Sequence, residues 1–153
     1  MRLLSPKPTN AAQELFACAC REAAELSFAV GVEHLVLATA VLGTTLGEFG
    51  VTADDVRERI RADERDALAS LGISLESVRG EIEERFGDGA WSKPTGLGVA
   101  PDAKRVLELA TRRRRRVSPD QLLATLIQHS AKARRLLFEL DVPVGTLQDR
   151  LRR

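Results

Sequence analysis

From residue 11 the apolar positions recur at helical spacing. Leu15, Ala19 and Ala23 form a stripe with Phe16 and Leu26 alongside, and Gln13, Glu14, Arg21, Glu22 and Glu25 take the other face. This predicts an amphipathic helix, with Thr9 or Asn10 as its N-cap. "SFAVG" breaks the pattern. From Val32 a second helix starts, apolar on nearly every side between Leu35 and Leu42, and such a helix belongs in the middle of a core. After the glycine-punctuated "GTTLGEFGV", "TADDVRERIRADERDALASL" is helical again, with Thr52 as cap and Asp54 and Asp55 at the positive N-terminus. "GISLESVRGEIEERFG" follows, capped by Ser74, and the turn-rich "DGAWSKPTGLG" is the one stretch that reads as a linker.

Beyond it come "VAPDAKRVLELATRRRRRV", with Pro101 near its first turn, and "SPDQLLATLIQHS", with Ser118 as cap and Pro119 at the first position. "AKARRLLFELDV" and "PVGTLQDRLRR" complete the chain. Strand-type runs are scarce, so the predicted class is all-α.

The order of elements repeats across the linker. "GVEHLVLATAV" aligns with "SPDQLLATLIQ", which pairs Glu33 with Asp120 and His34 with Gln121. A shorter phrase occurs three times, as "FGVTADDVRERI", "LGISLESVRGEI" and "LDVPVGTLQDRL". In each, a turn at Gly or Asp ends one helix, and a β-branched residue docks on the core as the next begins. The expected organisation is a single domain over 1–153, built of two pseudo-repeats of about four helices each. Repeat one covers 9–62, an inserted helical segment 63–87, the linker 88–99 and repeat two 100–153.

The charge balance, 23 basic against 22 acidic residues, gives no global field for capturing nucleic acid or an anionic membrane. With aromatics at 4% and no tyrosine there is little surface on which bases or sugars could stack. Cys18 and Cys20 point in different directions on one helix and read as packing residues in a reducing, cytoplasmic setting. The prolines of "MRLLSPKPTN" interrupt any signal-peptide core, and no apolar stretch approaches membrane-spanning length.

Glu33 and His34 head the apolar helix. A metal centre would need further ligands, and the second histidine, His129, lies in the other half, with no H-E-x-x-H or cysteine cluster present. No metal, cofactor or catalytic constellation is therefore expected, and the chain reads as a non-enzyme. Two readings of Glu33 stay open: a carboxylate placed to favour the helix N-terminus, with His34 packed beneath the loop, or a grip on a cationic or amide-bearing ligand. The run Arg112, Arg113, Arg114, Arg115 and Arg116 would spread around a helix instead of forming a stripe. It supports, as the alternative class, a small DNA-associated regulator. Phe86, Trp91 and Leu97 flank the linker, either stapling it to the core or offering an apolar groove to a partner.

Taken together, "RVLELA" (105–110), "GVEHLVLAT" (31–39), "LGISLESVR" (71–79) and "FGVTADDVR" (49–57) resemble the Clp amino-terminal domain. This is the double repeat at the front of the Clp/Hsp100 protein-unfolding ATPases. The resemblance spans the chain from about Thr9 onward, and it rests on the order and duplication of the motifs. It implies a compact helical domain that binds adaptors, substrate segments of Clp proteases or small-molecule ligands. It also implies an acidic residue that holds the guanidinium of a phosphorylated arginine, a role falling on Glu33, beside His34, and on Asp120. The family's threonine before that acid is Val32 here and Pro119 in the second copy. The G-x-x-x-x-G-K-[ST] phosphate loop is absent, so the expectation is a stand-alone recognition domain acting as an adaptor or as a ligand-sequestering competitor.

Overall fold

The computed structural model describes residues 11–26, 29–72, 80–81, 84–85, 98–112 and 116–152. Among these residues it is predominantly helical. The order is α1 (Ala11–Leu26), β1 (Ala29–Val30), α2 (Val32–Leu42), α3 (Thr45–Glu48), α4 (Ala53–Ser70), β2 (Gly98–Val99), α5 (Pro101–Thr111), α6 (Pro119–His129), α7 (Ala131–Glu139) and α8 (Val144–Leu151).

The all-round apolar stretch becomes the central helix, because a helix without a polar face is stable only when every side is covered. Val32 and all residues from His34 to Thr39 of α2 are buried. Around α2 pack α1, α4, α6 and α7, and α6 in turn carries α5 and α8. One continuous core runs from Leu15 and Ala19 on α1, through α2 and Ile60 on α4, to Leu123 and Ile127 on α6 and Leu147 on α8. Cys18 belongs to this core.

Helix starts follow the sequence closely. Thr52 and Asp55 cap α4 reciprocally: the Asp55 N–H donates to Thr52 Oγ1 at 3.1 Å, and the Thr52 N–H to Asp55 Oδ2 at 2.9 Å. Ser118 and Gln121 do the same for α6, with Pro119 at its first position. Arg57 then ties α4 to α1 with a two-pronged contact to Glu22, at 3.0 Å and 2.7 Å. That guanidinium holds the Glu22 carboxyl below the usual carboxylate range.

The turns named by the thrice-repeated phrase all adopt the left-handed conformation: Gly50 at φ 79°, Gly72 at 73° and Asp141 at 61°. After α3 and after α7 the chain closes the same way. The N–H of Val51 donates to the Leu46 carbonyl and that of Gly50 to Gly47. Correspondingly, Val142 donates to Leu137 and Asp141 to Phe138. Each is a Schellman closure, in which the buried β-branched residue beyond the turn meets the buried leucine inside the helix. Since left-handed backbone favours glycine, Asp141→Gly should raise stability by about 0.5–1 kcal/mol. Gly50→Ala should lower it by about 1 kcal/mol, although no atom obstructs the new methyl. Thermal melts of the two variants check both signs.

Two features depart from the expectations. Ala29–Val30 and Gly98–Val99 pair as short parallel strands, extended by the Ala100 N–H donating to the Val30 carbonyl at 2.9 Å. The end of the expected linker is thus paired, because the chain segments entering α2 and α5 must satisfy their backbone groups. Second, α5 ends at Thr111 with Arg112 as its C-cap, short of the helix expected over the arginine run, of which residues 113–115 lie outside the described residues.

Candidate functional site

Glu33 occupies the second position of α2, and its carboxylate folds back over Gly31. A β-carbon on Gly31 would lie 2.5 Å from both carboxylate oxygens, so the missing side chain is the seat for the carboxylate. The Glu33 side chain is 18% exposed. Lys132, in the first turn of α7, places Nζ 3.0 Å from Oε2, an ion pair whose angle is not that of a directed hydrogen bond.

His34 is fully buried beneath this turn. Its Nδ1 accepts the Gly31 N–H at 2.9 Å, which requires the neutral ring with its proton on Nε2. Nε2 has no hydrogen-bond partner. Burial pushes the His34 pKa down from 6.5, against the opposing pull of Glu33; Lys132 lowers it further and Glu22 raises it. His34 therefore braces the turn from inside, with no surface exposed to solvent.

Asp120, the counterpart of Glu33 on α6, is half-buried, and the Thr45 hydroxyl from α3 donates to its Oδ1. Arg150, which grips Glu48 at 2.9 Å and 3.0 Å, adds its field nearby. The two acids thus stand in matching places, each answered from the opposite half of the chain. Glu33 and Asp120 are 87 positions apart, as are their partners Thr45 and Lys132. The sequence motifs include neither Lys132 nor Thr45.

Over Glu33 opens a groove of about 660 Å³ between α4 and α7. Ile60 and Leu136 give it an apolar lining, and Arg59, Asp63, Arg135 and Glu139 its charged walls. Arg59 contacts Asp63 at 2.9 Å and Glu139 at 3.5 Å, and Arg135 contacts Glu139 at 3.3 Å. A shallower groove of about 490 Å³ lies between α1 and α5, where Phe16, Ala17 and Leu107 leave an apolar floor between Lys104 and Glu108. On α7, Phe138 stands 76% exposed.

Of the remaining residues picked from the sequence, Phe86, Trp91 and Leu97 lie outside the described residues, as do Arg113, Arg114 and Arg115. Arg112 and Arg116 are exposed. Three arginines of the second half are engaged within the fold: Arg134 donates to the Ile127 carbonyl at 2.7 Å, closing α6, and Arg135 and Arg150 pair with carboxylates. Burial raises the pKa of both the Cys18 and Cys20 thiols. Among the described residues no group of three or more His, Cys, Asp or Glu could hold a metal ion, and no helix is long and apolar enough to cross a membrane. No family model matches the chain.

Proposed function

We propose that this protein is a non-enzymatic recognition domain of the Clp amino-terminal type. It binds a protein or peptide segment in the cytoplasm as an adaptor, or as a competitor that sequesters ligands from a Clp chaperone. The observation that carries this reading is the duplicated arrangement of the two helix-opening turns. At Gly31–His34 and Ser118–Gln121 the fourth residue reaches back to the backbone N–H of the first, at 2.9 Å and 3.0 Å. The acid between them is met from the opposite half in both cases. The two Schellman closures after α3 and α7 extend the correspondence. Both features support the double repeat that the sequence motifs suggest, with α2 and α6 as equivalent helices.

Within that frame Glu33 is the ligand contact. It is the acid that opens into a groove, and that groove combines apolar lining with both signs of charge. A guanidinium could bind the carboxylate in a two-pronged, charge-assisted way, and a phosphoryl group on it would compete with Asp63 and Glu139 for Arg59 and Arg135 of the same walls. Asp120, held by a hydroxyl, is the weaker copy. Calorimetric titration with phosphoarginine, with arginine and phosphate as controls, tests this. Wild type should bind, and Glu33→Ala should weaken binding by about tenfold or more, the usual worth of a charge-assisted hydrogen bond. No binding by folded wild type would make Glu33 a helix-opening residue and sink the reading.

A further inference from the structure

Lys132 is in an unfavourable place for its own helix. It lies in the first turn of α7, where the helix dipole disfavours a cation, and that turn contains no acidic residue. The stability of α7 therefore does not explain a lysine here. What the side chain does instead is reach Glu33, one of the carboxylates lining the α4–α7 groove, 3.0 Å away. The other two bases of the groove are held by Asp63 and Glu139. Lys132 alone of the three is committed to Glu33, and with 60% of its side chain exposed little else holds it there.

We propose that Lys132 is a built-in competitor for the Glu33 site, an internal ammonium that occupies the carboxylate until an arginine-bearing ligand displaces it. This rests on the reading of Glu33 as the ligand contact. The exchange is favourable in direction, since a single-point, solvent-exposed ammonium contact is weak whereas a guanidinium offers two parallel donors to the same carboxylate. The released ammonium returns to water at little cost because its stem is already solvated. The consequence is a threshold: ligands that offer only a lone amine meet an occupied site, and those that offer a planar fork do not. In the other half the neutral Thr45 hydroxyl takes the corresponding position on Asp120, so this competition is confined to one site.

The test is calorimetric titration of wild type, Lys132→Ala and Lys132→Met with acetyl-arginine amide and with phosphoarginine. Both variants should fold as wild type, given the exposure of Lys132, and a thermal melt confirms it. Both should bind acetyl-arginine amide between about two- and tenfold more tightly than wild type, the range an exposed ion pair is worth. Equal affinity across the three proteins would overturn the competitor while leaving Glu33 as the contact. Weaker binding of acetyl-arginine amide by the variants would also overturn it, by making Lys132 part of the receiving surface. No binding of either compound by any of the three would overturn both the competitor and the reading beneath it.

Discussion

Replacing His34 with leucine should destabilise the protein by about 2 kcal/mol, whereas replacing it with glutamine should be close to neutral at pH 7. The ring's one hydrogen bond is accepted from Gly31 N–H at 2.9 Å, and Gly31 is buried, so water cannot take over when the acceptor is removed. Leucine leaves that donor unpaired. Glutamine does not, because the other half of the chain already uses a glutamine in the same role, where Gln121 Oε1 accepts the Ser118 N–H at 3.0 Å. Removing the acceptor there should cost less, since Ser118 and Gln121 are only half-buried. Urea denaturation of His34→Leu, His34→Gln and Gln121→Leu ranks the three, and a large loss in the glutamine variant would contradict the account.

The same histidine makes a prediction in pH. Its folded pKa is lowered below 6.5, so between that folded value and 6.5 the unfolded chain binds more protons than the folded one. Stability is then complete above about pH 6.5 and falls as the pH drops through that value. Below the folded pKa the loss is complete and the curve flattens. Protonation puts a second donor against the Gly31 N–H, which opens the turn that seats Glu33. Glu22 adds a separate loss of the same sign at lower pH: its folded pKa is depressed by Arg57, and its contribution is present above 4.5 and fades below. In His34→Gln the first step should vanish and the second remain. Stability measured from pH 8 to pH 4 in the two proteins separates them.

The buried α2, the caps at Thr52 and Ser118 and the turn residues Gly50, Gly72 and Asp141 are all legible in the sequence, because each depends on residues within a few positions. Periodicity shows which face of a helix is buried but not what it meets. The pairing of Glu33 with Lys132 joins residues 99 positions apart, and nothing local announces it. The one sequence signal is a lysine in a first turn that lacks any acid. The strand pair escapes the pattern for a related reason: two residues are too few for a period, and the second strand falls at the end of the expected linker, far along the chain from the first. The arginine run reads as helix because arginine is a good helix former, but α5 ends at Thr111, ahead of the run.

Two glycines four residues apart should respond to the same substitution with opposite signs. At Gly43, just past the end of α2, an added β-carbon would stand 2.7 Å from the Thr39 carbonyl oxygen and 2.8 Å from the β-carbon of Pro119. The first obstacle is backbone and the second a rigid ring at the start of α6, so neither can swing aside. Its backbone, at φ −113° and ψ 176°, is open to any residue, so the requirement is space and not conformation. Gly43→Ala should force α2 and α6 apart and cost about 2 kcal/mol, in the range of overpacked cores. At Gly47, inside α3, nothing lies within 4 Å of the new methyl. Gly47→Ala should therefore stabilise by about 0.5–1 kcal/mol by restricting the unfolded chain. If Gly43→Ala also lowers affinity at Glu33, the close approach of α2 to α6 is what aligns the two halves, since Lys132 and Glu33 face each other only when α6 and the α7 it leads into hold their distance from α2.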